Sequence, residues 1–339
     1  MADRELAVGL VGATGLGGRE VLRLLEERGF PAGRPRLFGT TRTAGGALED
    51  DEGASHGTVE LLGPDSFAGL DLVFFTAGRA VAEAHALEAA ARGALVVDTS
   101  SQYRLSPTVP LVVPEVNADV LAGYESGVVA CPSAAVTALA VVLAPLAAAF
   151  PLARVVVSTY QGVASAGTRA LQHLVRDSIG LLSGRGDQRR TRTSVAFDCM
   201  PAIGAIGAGG QSAYEERFVA ELEKVLGDAM PPLTVTAVRV PAFIGIGLSV
   251  SVESEEPMTA AAVADVLRPA PGVLLHEGQD ARGLSLRAVV GSEATHVGRL
   301  RTDSSVRHGI TMWIAIDSVV KGRALNAVQV AERLIRVRH

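Results

Sequence analysis

The stretch GLVGATGLGGREV, from Gly9 to Val21, restricts the fold of this chain more than any other segment. Apolar residues run into it. An amphipathic helix pattern, EVLRLLEERG, runs out of it, with Val21, Leu22, Leu24 and Leu25 on one face and Gly29 at its end. Between them Gly12, Gly15 and Gly18 form a G-x-x-G-x-x-G turn, in which Thr14 takes the middle place that glycine holds in the commoner spacing. Glycine at such points permits a tight turn and close backbone approach, so a pyrophosphate can rest on the helix N-terminus. The pattern predicts a dinucleotide site lined by Gly12, Thr14, Gly15, Leu16, Gly17 and Gly18. A merely tight turn between strand and helix is the plainer alternative.

The same strand–helix alternation continues. PRLFG, DLVFFTAG and ALVVDTSS read as strands, with the helix VAEAHALEAAARG between the last two. Runs of Val, Leu and Phe without polar alternation suit a parallel sheet covered on both faces, which predicts a doubly wound α/β domain over residues 1–130. The second half differs. ARVVVSTYQG, LTVTAVRVPAF, LSVSVESEE, LSLRAVVG, ATHVGRLR and GITMWIAID read as strands, several in strict alternation, with Leu248, Val250 and Val252 turned inward and one helix, YEERFVAELEKVLG, among them. One packed and one wetted face predicts an α+β domain over residues 131–320, and the final helix, RALNAVQVAERLI, is expected to return residues 321–339 to the first domain.

The second strand bears on cofactor choice. An acidic residue at its end would hold a ribose 2′-hydroxyl, but LFGTTRTAGG offers Thr40, Arg42 and Thr43, a cation and two hydroxyls suited to a 2′-phosphate. NADP is therefore expected over NAD, with Arg42 as an ordinary exposed loop residue the alternative.

Charge argues against several partners. The 31 Lys and Arg against 36 Asp and Glu leave a net −5, which provides no basic field for nucleic acid or an anionic membrane. The basic run GRGDQRRTRTS, Gly184–Ser194, reads as a solvated loop, with contact to phosphate the alternative. The 339 residues suit two domains, and 48% hydrophobic content suffices for buried cores. Two cysteines, Cys131 and Cys199, form no disulfide framework and fit a reducing cytoplasm. No targeting segment is expected at the N-terminus, and the apolar run from Ala134 to Phe150, broken by Pro145, reads as a buried helix. No metal site is expected.

VVACPSAAVTALAVVLAPL, from Val128 to Leu146, resembles a reactive-residue turn without its reactive residue. A helix N-terminus lowers the pKa of a nucleophile placed there, yet its mouth holds Ser133, Ala134 and Ala135, with Cys131 set back before Pro132. Ser133 suits an N-cap. A serine without an adjacent base is a poor nucleophile, and Cys131 reads as a buried structural thiol unless the backbone is re-routed.

Several separate segments, in order, carry a resemblance: VGATGLGGREVLRLLEERGFP, TTRTAGG, DTSSQYR, PLVVPEVN, VVVSTYQGVASAG, AVRVPAF, HVGRLR and KGRALNAVQVAE. Together they resemble the aspartate-β-semialdehyde dehydrogenase family over nearly the whole chain. STYQ and LNAVQ separate it from the related acyl-phosphate reductases of arginine synthesis. The resemblance implies a Rossmann-type doubly wound NADP-binding domain plus an α+β catalytic and dimerisation domain, in an oxidoreductase of amino-acid biosynthesis that forms a homodimer. It implies reduction of an acyl phosphate through a cysteine thioester, with a histidine moving protons.

Carried over residue by residue, it implies Gln161 as the residue orienting substrate, Arg239 as the carboxylate-binding arginine, Arg104 and Arg217 as phosphate-binding, and Thr76 and Gln329 as further cofactor contacts. The nucleophile position falls on Ala134, or on Ser133 after a one-residue slip. The histidine position falls on Ile246 in RVPAFIGIG. Thr99 in DTSS and the segment QGVASAG also depart from the family pattern. The expectation is an NADP-binding pseudoenzyme, resembling the degenerate Usg-type homologues and binding an anionic small molecule. The alternative is an active phosphate-dependent enzyme that uses Cys131 and a displaced base such as His296 or His308.

Overall fold

The computed structural model describes residues 5–49, 53–184 and 194–337. The basic run therefore lies, over residues 185–193, outside the described residues. The chain divides into two compact units, Met1–Ser133 with Arg323–His339, and Ala134–Gly322.

The first unit is a seven-stranded sheet of β1 Val8–Val11, β2 Arg36–Gly39, β3 Ala47–Glu49, β4 Ser55–Leu61, β5 Leu72–Phe75, β6 Leu95–Asp98 and β7 Gly127–Ala130. Its order is β3-β4-β2-β1-β5-β6-β7, parallel except for the β3–β4 pair. Every residue of β1, β5 and β6 is buried, which explains their unbroken apolar sequence. Helices α1 Leu16–Glu27, α2 Arg79–Ala91 and α3 Pro114–Asn117 belong to this unit. The edge strand β3 and its neighbour β4 escape sequence reading; SHGTVEL of β4 buries only Val59 fully and carries no apolar run.

The second unit opens with α4 Ala134–Ala149, which continues through Pro145 and buries Ala135 to Leu143 together with Leu146. It then adds β8 Leu152–Gln161, α5 Thr168–Leu182, α6 Ala213–Leu226, β9 Leu233–Arg239, β10 Ile246–Ser254, α7 Ala260–Leu267, β11 Val273–Leu275, β12 Thr295–Asp303 and β13 Gly309–Ile316. The six-stranded mixed sheet has order β11-β12-β13-β10-β8-β9. Leu248, Val250 and Val252 are buried, as their alternation requires, and α4 packs on β8, β10 and β13.

LSLRAVVG is not a strand. Residues Leu284–Gly291 form turns, with Ala288 N donating to Ser285 O at 3.1 Å and Gly291 at φ +82°. Its alternation arises because Leu284 and Val289 pack with Ala315 and Trp313, and Trp313 Nε1 holds the Leu284 carbonyl at 2.9 Å. An apolar period in a looped segment reflects packing, not ladder pairing.

A π-helical stretch, Val320–Leu325, leads into α8 Asn326–Val337, which packs on α1 within the first unit's core. Among the described residues no helix is long and apolar enough to cross a membrane.

Candidate functional site

The glycine turn lies where the strand order of the first sheet reverses, between β1 and β5, the point at which open α/β sheets bind ligands. Gly12 has φ +89°, and a Cβ there would lie 2.8 Å from Ala77 N and 3.0 Å from Thr76 Oγ1. Thr76 fastens the floor by donating to Val11 O at 3.0 Å. Gly15 caps α1 in extended conformation, its N–H on Gly12 O at 3.0 Å. A Cβ on Gly18 would collide with the Gly12 carbonyl and lie 2.8 Å from Ala13 Cα. Gly12 and Gly18 therefore set how closely α1 approaches the turn. Thr14 is exposed at its crest, and Leu16 is half-buried.

Beyond β2, Thr40 and Arg42 are exposed, and Thr43 Oγ1 donates to Thr40 O at 3.3 Å. The side chains of this loop are thus presented rather than consumed by core packing. Gln329 on α8 is half-buried, and its Oε1 is buried without a hydrogen-bond partner among the described residues.

Arg104 also belongs to the first unit. Its Nε donates to Cys131 O and its Nη2 to Thr99 O, both at 2.9 Å. Burial pushes the Asp98 carboxyl above the usual range, against the Ser100 N–H and hydroxyl at 2.9 and 2.8 Å and against the Arg104 charge. Cys131 itself lies in the apolar core of this unit, 1% exposed. Burial pushes its thiol up to about 12, only partly offset by Asn326. At neutral pH such a group is essentially all thiol. Ser133, just before α4, is buried as well.

In the second unit, strand register gathers residues that are far apart in sequence. Gln161 at the end of β8 is paired with Arg239 of β9 on one side and Ile246 of β10 on the other, and Ile246 is paired with Ile316. Gln161 is 1% exposed and donates from Nε2 to Thr159 Oγ1 at 3.1 Å. Arg239 Nη1 donates to Gly162 O at 2.8 Å and also to Ser165 Oγ, and burial pulls its guanidinium below the ordinary value. The loop after β8 is stapled to residues 242–245 by Gly162 N on Gly245 O, Val163 N on Ala242 O and Ala164 N on Phe243 O, each at 2.9 Å. This fixes the guanidinium beside the sheet end. Arg239 also lines a cavity of about 700 Å³ with Arg169, His173, Arg176 and Asp177 of α5, a cation-rich wall suited to an anion.

Ile246 is 1% exposed. Ala134, the first residue of α4, is half-buried and packs directly on the Gly322 backbone; a Cβ at Gly322 would collide with Ala134 and lie 3.1 Å from Ile316 Cδ1. Gly322 and Ile316 thereby join the mouth of α4 to the row that contains Ile246. Arg217 is exposed on α6, whose capping box of Ser212 and Glu215 also ties β9 through Ala237 N on Glu215 Oε1 at 2.8 Å. His296 is spent elsewhere, hydrogen-bonded to His276 at 2.9 Å and Ser292 at 2.7 Å.

Sequence reading passed over Ser165, Asp98, Gly322 and the cation-bearing face of α5. Only the spacing of Arg169, His173 and Arg176, one helical face, carried a signal for any of them. Among the described residues no group of three or more His, Cys, Asp or Glu side chains is placed to hold a metal ion.

Two family models match the chain, the semialdehyde dehydrogenase NAD binding domain over residues 7–124 and the semialdehyde dehydrogenase dimerisation domain over residues 143–321. The aspartate-semialdehyde dehydrogenase of Shewanella violacea is 35% identical over 338 residues, covering 98% of this chain and 99% of its own. The chain belongs to the aspartate-semialdehyde dehydrogenase family. The Bacillus subtilis aspartate-semialdehyde dehydrogenase is 34% identical over 98% of both chains. Among solved structures, aspartate semialdehyde dehydrogenase II from Vibrio cholerae superposes with a TM-score of 0.92 at 32% identity, covering 98% of this chain and 99% of that one. As a family member, the chain pairs a Rossmann-like NAD(P)-binding domain with a separate α+β domain.

Proposed function

We propose that this chain is an NADP-binding member of the family in which the phosphorylating reduction is impaired or altered, as in the degenerate Usg-type homologues. The observation that carries the reading is the pair Ala134 and Ile246, at the positions where the family resemblance puts a thiol and an imidazole. A methyl group forms no acyl bond, and isoleucine transfers no proton. Cys131 supplies no substitute, since burial holds its thiol protonated.

The dinucleotide fits the residues present. Gly12 and Gly18 leave no room for a Cβ at the start of α1, whose first-turn N–H groups have no partner within the helix, and the orphaned Gln329 Oε1 is an acceptor awaiting a donor. Thr40, Arg42 and Thr43 would hold a 2′-phosphate, and Thr76 braces the turn. When bound, the nicotinamide supplies or accepts a hydride. Arg239 would hold a ligand carboxylate at the cation-rich cavity, Gln161 would orient the acyl group, and Arg104 and Arg217 would receive a phosphate group.

The reading includes a homodimer through the second unit, in which a twofold partner would cover the open face of its alternating sheet. Sedimentation at micromolar concentration is expected to give a dimer.

The deciding experiment is phosphate-dependent NADPH formation from aspartate semialdehyde, run beside an authentic family enzyme. No turnover above the blank is expected from the parent, although NADPH binds. Robust turnover that disappears with Cys131→Ala would overturn the reading.

A further inference from the structure

Arg323 follows Gly322 in the segment KGRALN, outside the glycine fingerprint, and nothing described so far uses it. Its stem lies against the glycine turn. A Cβ built on Gly17 would stand 3.0 Å from Arg323 Cδ and 3.8 Å from Nη1. The Arg323 side chain thus settles over the second residue of α1, where helical N–H groups have no partner within the helix.

Taken alone, this is an unfavourable place for a cation. The N-terminus of α1 carries the positive end of the helix dipole, and no acidic residue occupies its first turn. Arg104 is a second cation nearby, already directed at the Cys131 and Thr99 carbonyls and sharing its field with Asp98. Burial first, and repulsion from Arg104 second, pull Arg323 below the ordinary arginine value. Among the described residues its guanidinium has neither a hydrogen bond nor an ion pair, although it offers five donors. Two arginines and a helix N-terminus therefore converge, and one of the cations lacks any counter-charge. Such a convergence is stable when an anion completes it.

We propose that Arg323 is a cofactor-binding residue of this chain, closing over the pyrophosphate that rests on the Gly12–Gly18 turn. This rests on the dinucleotide reading above and adds to it a cation from the segment that leads into α8. The pyrophosphate is common to both nicotinamide dinucleotides, so Arg323 acts on NADPH and NADH alike. Arg42, by contrast, acts only where a 2′-phosphate is present.

Equilibrium titrations of the full chain with NADPH and NADH, for the parent, Arg323→Met and Arg323→Lys, test this. Arg323→Met is expected to weaken both nucleotides ten- to a hundredfold by the same factor, and Arg323→Lys to recover part of the loss as a point charge. Without nucleotide, the thermal midpoint of Arg323→Met should equal or exceed that of the parent, because an uncompensated charge has been removed. Parent binding with less than a threefold change in Arg323→Met overturns the assignment and leaves the dinucleotide reading standing. Loss confined to NADPH places Arg323 at the 2′-phosphate and also overturns it. A nucleotide-free midpoint that falls in both variants marks a structural arginine, with the same consequence. Failure of the parent to bind either nucleotide removes both readings.

Discussion

The glycine turn of the first unit and the end of the sheet in the second are built from opposite materials. The turn recognises with backbone: Gly12 and Gly18 are held by contacts that leave no room for a Cβ, so its shape is inseparable from the fold. The sheet end is built from side chains, Arg239, Gln161 and Ile246, set side by side by register alone. A backbone site cannot be altered without disturbing packing. A side-chain site can exchange its chemistry and keep its shape, and Ile246 is buried in this row. Binding apparatus and reactive apparatus therefore differ in how easily each is lost.

The largest expected effect tests the rigid side of that contrast. Gly18→Ala drives a methyl into the Gly12 carbonyl and Ala13, neither of which is free to move. Overpacking of this kind costs on the order of 1–3 kcal/mol. A lower thermal midpoint together with at least a hundredfold loss of NADPH affinity by calorimetry is expected; full affinity would show that the turn does not depend on close approach.

Next comes the exposed rim of the same site. Arg42→Ala should weaken NADPH by about 1.5–3 kcal/mol through loss of charge-assisted bonds, with NADH unchanged. Equal weakening of both nucleotides, or of neither, would remove the 2′-phosphate assignment.

A smaller effect belongs to Cys131. Its folded pKa is raised, so the folded state holds the proton more tightly than the unfolded chain. That stability is fully present below the unfolded value and is lost as pH rises toward about 12. Above pH ~9 the parent should lose up to about 1.4 kcal/mol per pH unit relative to Cys131→Ala, read by urea unfolding. At neutral pH iodoacetamide should label the exposed Cys199 and spare Cys131. Parallel pH profiles for the two proteins would show that folding does not raise the Cys131 pKa.

The smallest effect is expected at the altered side-chain site. Ala134→Cys places a thiol at a half-buried helix mouth, where it should react with iodoacetamide yet support little turnover without an imidazole. Combined with Ile246→His, the gain should exceed the sum of the two single gains, because residues that act as one unit are non-additive. Additive behaviour would separate the two positions functionally.

Much of the architecture was legible beforehand because it rests on local patterns. The unbroken apolar strands β1, β5 and β6 announced a sheet covered on both faces, and Leu248, Val250 and Val252 announced a sheet with one buried face. The reading failed where an apolar period came from packing alone, at Leu284–Gly291, and where a polar strand such as β4 left no period to detect. At the site, the glycine turn was legible for the same local reason. The face of α5 that joins Arg239 at the cavity was not, because the spacing of Arg169, His173 and Arg176 marks one helical face without saying what that face lines.

The sequence by itself determined the strand–glycine–helix unit and the change from an unbroken to an alternating strand pattern, since each is a property of neighbouring residues. Only the tertiary structure decided that Cys131 is sealed in a core, that Arg239, Gln161 and Ile246 form one row, and that Arg323 lies over Gly17. Burial, register and convergence of charge depend on contacts between segments far apart in the chain, and no local period encodes them.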